Sequence, residues 1–133
     1  MNMKNKVPSI DAWLTEAKAH ESAKKVGMYL THNGVVRETS KEKVREGAEN
    51  TRPVVAMDFS YDSAKMEAAV ADTYQLPGIY YIKTWLAEGR LQTGDDIMYV
   101  LIGGDTRPHT IDALEYLVGT LKSECVSETE IYE

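Results

Sequence analysis

"GGDTRPHTIDALEYLVGTLKSE", residues 103–124, decides how this chain is read. Two glycines close an apolar run, a turn holding Asp105, Arg107 and Pro108 follows, and apolar residues then recur at helical spacing. Proline suits the first turn of a helix, where its missing N–H would have had no partner. Ile111, Leu114, Leu117, Val118 and Leu121 predict a helix from about Pro108 to Lys122 with these side chains inward. Lys122 lies eleven positions after Ile111, which at about 100° per residue is only about 20° around the axis. That puts it at the edge of the apolar stripe. Two readings stand open for it. Its stem can lie along apolar surface while the amine reaches water, or the amine can be partly desolvated and so neutral and reactive near neutral pH.

Arg107 sits where a strand gives way to a helix. Free backbone N–H groups, the positive end of the helix dipole and a guanidinium together suit a small anion; a surface arginine in a turn is the plain alternative. Arg37 follows the apolar run VGMYLTHNGVV (26–36) and opens the charged stretch RETSKEKVREGAENTR (37–52), and the same two readings apply to it. His109 and His32 are available as hydrogen-bond donors. No His-x-x-x-His or matching acidic spacing surrounds the three histidines, so no metal site is expected.

Outward from that stretch, Ser9 reads as an N-cap for a helix with Ile10, Trp13, Leu14 and Ala17 on one face. Residues 26–36 read as a strand interrupted near Asn33-Gly34 by a bulge or turn. VVAMDFSY (54–61) reads as a strand and Ser63 to Tyr74 as a helix. IYYIKTWL (79–86) and DIMYVLI (96–102) read as an antiparallel strand pair turned at Thr93-Gly94-Asp95. A short acidic tail ends the chain. This order predicts a single α+β domain over residues 1–133, a sandwich of helices on one side of a mainly antiparallel sheet.

Composition narrows the function. The 133 residues carry a formal charge of −6, which argues against a nucleic-acid or anionic-membrane partner, since both need a basic face. A small anionic ligand needs only a few local cations. No apolar run reaches the roughly 18 residues of a membrane span, and no signal peptide is visible, so a cytoplasmic protein is expected. The single cysteine, Cys125, stands near Glu124 and Glu128, which disfavour its thiolate. G-x-S-x-G, Walker and G-x-G-x-x-G motifs are all absent from the sequence.

Four stretches, GMYLTHNGVVRETS (27–40), VVAMDFSYDSAKMEAAV (54–70), GRLQTGDDIMYVLIGGDTR (89–107) and TIDALEYLVGTLK (110–122), resemble the large, catalytic subunit of molybdopterin synthase in order and separation. The resemblance implies an α/β-hammerhead-like α+β fold and a homodimer. It also implies a heterotetramer with a small ubiquitin-like carrier whose C-terminal Gly-Gly tail bears a thiocarboxylate. Sulfur would pass from that tail, twice, to cyclic pyranopterin monophosphate, a phosphorylated pterin, and no cofactor is required. On this likeness Arg37 and Arg107 would bind phosphate and pterin oxygens, and Lys122 would be the catalytic lysine.

Some positions depart from the pattern. The histidine expected before Arg107 is Thr106, and His109 stands close by as its substitute, so Thr106 and His109 join Arg37 and Arg107 as substrate-binding candidates. The second active-site lysine aligns with Thr129, within SECVSETEIYE, which is acidic where the family is basic. Two functions follow: sulfur transfer, or a non-catalytic paralogue that binds a pterin-like anion or a ubiquitin-like carrier. A spacing argument also follows. Arg107 and Lys122 are fifteen residues apart, about 22 Å along one helix, so a site using both needs Arg107 from a second copy.

Overall fold

The structure is a computed structural model and describes residues 6–39 and 52–133. Most of the charged stretch 37–52, whose conformation the sequence leaves open, lies outside the described residues. Helix α1 spans Ile10–Ala19, and the Ser9 hydroxyl accepts from Ala12 N–H at 3.2 Å, as its N-cap role requires. A short 3-10 turn, Glu21–Lys25, leads to β1 (Met28–Val35). After β2 (Val54–Tyr61), the Asp62 carboxylate caps α2 (Ser63–Tyr74) by accepting from Lys65 N–H. Strands β3 (Ile79–Leu86), β4 (Gly89–Gln92) and β5 (Asp96–Gly104) precede α3 (Arg107–Thr120). A π-helical turn, Leu121–Cys125, then passes into β6 (Val126–Tyr132).

The α+β class with antiparallel strands holds, and the strands divide into two three-stranded sheets, ordered β1-β5-β3 and β4-β2-β6. Strands β3 and β5 pair as expected, with Thr84 opposite Val100. The turn at Thr93–Asp95 does not join them directly, because β4 intervenes and pairs with β2 in the other sheet. The acidic tail is β6, paired along β2 from Tyr61↔Val126 to Val54↔Tyr132. The interruption near Asn33-Gly34 is a register shift between Gly34 and Val35.

Side-chain alternation on β5 sets the layers. Val100 and Ile102 join the core with Ala113, Leu117 and Leu121 of α3 and its following turn. Leu101, pointing the other way, packs with Trp13 and Ala17 of α1. Helices therefore lie on both faces of the β1-β5-β3 sheet, with α1 opposite α3. The inward face of α3 also differs in phase from the sequence reading: Thr110, Ala113 and Leu117 are buried, whereas Ile111 is 38% exposed.

Small residues explain that phase. A Cβ on Gly104 would collide with the Thr110 hydroxyl, which donates to the Thr106 carbonyl at 2.7 Å inside the first turn of α3. The Gly103-Gly104 break thus lets the helix start sit directly on the strand end. Fully burying a leucine such as Leu117 stabilises the fold by about 1.5–3 kcal/mol relative to leaving it exposed.

Candidate functional site

Two of the three sequence-predicted cations meet at the far end of α3. Val35, Arg37, Met57, Ile97, Lys122, Glu128 and Glu130 line one shallow hollow with a volume of about 20 Å³. That is room for about one water molecule, so a larger ligand would rest across the mouth. Arg37 is brought there by backbone bonds on either side: Val36 N–H donates to the Asp95 carbonyl, and Val54 N–H to the Glu38 carbonyl at 2.7 Å. Its own Nε donates to the Thr39 carbonyl at 2.9 Å.

Lys122 arrives by way of the π-helical turn. Leu121 and Cys125 are buried on the inner side, while Lys122 is exposed. The Cys125 carbonyl accepts from Asp62 N–H at 2.8 Å and ties the turn to the start of α2. An exposed amine favours the first of the two sequence readings, with the charge in water and the stem on the protein surface. Burial and, to a lesser degree, Glu124 push the Cys125 thiol up, so its thiolate is disfavoured.

A third group stands close by. His32 is half-buried on β1, and its ring is held below the ordinary histidine range, first by burial and then by the positive charge of Lys122. Its Nε2 lies 3.7 Å from where a side chain on Gly34 would begin, an ordinary van der Waals distance. His32 is thus within the electrostatic field of Lys122, whereas His109 is far from it.

Strand β6 supplies the surprise of the site. Glu128 and Glu130, half-buried and two apart, face the hollow. Thr129, between them, is exposed on the other side with Ser127, Asp58 and Arg90. The position that matches the second lysine therefore turns away from Arg37 and Lys122. Among the described residues, two cations and two carboxylates line the hollow.

Arg107, Thr106 and His109 cluster at the opposite end of α3. This 14-residue helix is about 21 Å long. Arg107 is exposed. Thr106 is the N-cap but makes no side-chain cap bond. His109 Nδ1 pairs with Asp105 Oδ1 at 2.7 Å, and this bond, aided by Thr106, holds the Asp105 carboxyl below the usual carboxylate range. His109 is therefore engaged with Asp105. Within one chain these three residues do not meet Arg37 and Lys122. Among the described residues, no group of three or more His, Cys, Asp or Glu is placed to hold a metal ion, and no helix is long and apolar enough to cross a membrane.

The family model for the MoaE protein matches residues 8–124, which take in β1 to α3 and Lys122. The chain belongs to the MoaE family. No curated protein matches the chain in sequence. Molybdopterin cofactor biosynthesis protein E from Burkholderia multivorans shares its fold with a TM-score of 0.72 at 18% identity, over 97% of this chain and 84% of that one. Molybdopterin synthase from Staphylococcus aureus is similar with a TM-score of 0.67 at 18% identity, over 82% and 77%. A complex of subunits 1 and 2 of molybdopterin-converting factor from Helicobacter pylori gives 0.65 at 15% identity, over 93% and 76%. At such identities the structures speak for the fold alone. Family membership gives this MoaE protein a general role in molybdenum cofactor biosynthesis.

Proposed function

We propose that this MoaE protein is a sulfur-transfer subunit that converts cyclic pyranopterin monophosphate to molybdopterin, with a thiocarboxylated ubiquitin-like carrier as sulfur donor. The observation that supports it most is the convergence of Arg37 and Lys122 on one hollow from distant parts of the sequence. In this reading Arg37 binds the substrate's anionic oxygens. The carrier's thiocarboxylate sulfur bonds to a side-chain carbon of the pterin as an oxygen substituent leaves. Water then adds to the resulting thioester carbonyl, so that the acyl–sulfur bond breaks with sulfur left on the pterin and a carboxylate on the carrier. The Lys122 ammonium offsets the oxyanion of that tetrahedral adduct or exchanges the proton. The hollow alone is too small for a pterin, so the site is completed at an interface. Because α3 separates Arg107 from Lys122, the partner subunit's Arg107 would serve this chain's Lys122 across a homodimer. The Helicobacter pylori complex is a precedent for a MoaE-like fold assembled with a second, different subunit.

One observation favours the non-catalytic alternative: Glu128 and Glu130 stand where a phosphate and a thiocarboxylate would approach, and Thr129 faces away. The two readings separate in a reconstitution of the protein with thiocarboxylated carrier and cyclic pyranopterin monophosphate. Sulfur transfer requires molybdopterin as product. A binding relative would retain carrier or pterin and yield none, and that outcome would sink the catalytic proposal.

A further inference from the structure

The two carboxylates of β6 carry a consequence for ligand choice. Glu128 and Glu130 share a strand face and a hollow with Arg37 and Lys122, and the Tyr132 hydroxyl donates to Glu130 Oε1 at 3.0 Å, which helps fix that side chain. A bare anion at the mouth of the hollow gains two cations and meets two like charges among the described residues, so these four groups together give it little net attraction. A ligand that sets N–H donors beside its anion is treated differently. A carboxylate is an acceptor with paired lone-pair directions, and it is well matched to two adjacent N–H groups. The amino-pyrimidinone edge of a pterin presents such a pair. The hollow therefore contains acceptors for the ring and cations for the phosphate, arranged on one surface.

We propose that Glu128 and Glu130 are specificity-determining residues, which weaken the hollow's hold on simple phosphate and favour a phosphate joined to an N–H donor edge. This rests on the pterin reading above but concerns selection, not sulfur chemistry. The test is calorimetric titration at low ionic strength with two probes, inorganic phosphate and neopterin monophosphate, on the wild type, the Glu128→Gln and Glu130→Gln single variants, and the double variant. Each neutralised carboxylate is expected to tighten inorganic phosphate by roughly two- to fivefold, the size of an exposed charge pair, and added salt should erase the gain. Neopterin monophosphate should gain less or lose affinity, so that the preference for it over phosphate falls in the double variant. Thr129→Val, on the opposite face, should leave both affinities unchanged.

Unchanged or weaker phosphate binding in the Gln variants would overturn the proposal. So would an equal gain for both probes, or the absence of binding by either probe. Thermal unfolding of each variant confirms that a native fold is being titrated, and the single variants serve if the double one does not fold. Sulfur transfer in reconstitution with no effect of either Gln substitution would sink this proposal and leave the catalytic reading intact. Altered preference with no sulfur transfer would do the reverse.

Discussion

Strand parity makes a sharp prediction about where a second lysine can function in this protein. Glu128 faces Arg37 and Lys122, whereas Thr129 faces Asp58 and Arg90. Glu128→Lys changes the local charge by two units. A phosphate resting across the mouth of the hollow is taken to lie about 7 Å from that position, the spacing of two residues along a strand. In a water-like dielectric each unit pair at that distance is worth about 0.6 kcal/mol. For a nearly dianionic phosphate the swap comes to about 2 kcal/mol, or roughly thirtyfold in affinity. Thr129→Lys adds one charge on the far side of the sheet, at about a Debye length or more in ordinary salt, and should change affinity by less than about twofold. Titration of phosphate or neopterin monophosphate into both variants at matched ionic strength compares them. Equal gains, or a larger gain from Thr129→Lys, would refute the assignment of faces on β6.

Three further outcomes follow. Leu117→Ala removes a fully buried side chain between α3 and the β1-β5-β3 sheet and should cost about 2–5 kcal/mol in denaturant unfolding; a loss below 1 kcal/mol would mean α3 is loosely docked. His32 should titrate in NMR below the ordinary value of 6.5, and Lys122→Gln should move it upward. Because the fold favours the neutral ring, the unfolded chain binds more protons just below pH 6.5, so stability attributable to His32 should be full above that pH and fall as the pH drops. Mixed dimers of Arg107→Ala with Lys122→Ala should regain sulfur transfer that neither variant shows alone, since one composite site would be intact. Recovery no greater than the sum of the two parents would argue against a shared site.

Much of the fold was legible because local chemistry and tertiary role agreed. The helix Ser63–Tyr74, the strand Val54–Tyr61 and the interruption at Gly34 all carry their own signals. What escaped did so for physical reasons. Strand β4 is only four residues long, too short for a period-two pattern to show. Strand β6 has alternation, with Glu128 and Glu130 against Ser127 and Thr129, but its inward side is charged and so resembles a solvated tail.

On α3 the apolar residues misled. Ile111 is the larger side chain, yet Thr110 and Ala113 are buried, and at Thr110 the helix lies against Gly104 so closely that a Cβ on that glycine would collide with the hydroxyl. For the site, Arg37, Arg107 and Lys122 each carried a local signal and the resemblance gave them roles, while the hollow that joins Arg37 to Lys122 and leaves Arg107 apart came from folding. The influence of Lys122 on His32 had no signature in spacing, since it joins the middle of β1 to a π-helical turn.

The most direct test is single-turnover sulfur transfer from thiocarboxylated carrier to cyclic pyranopterin monophosphate, by the wild-type protein and by Lys122→Ala. Formation of dithiolene product by the first and at least a hundredfold slower formation by the second, with carrier still bound, is the predicted result. Equal rates in the two proteins would contradict it, as would carrier and pterin binding without product in the wild type.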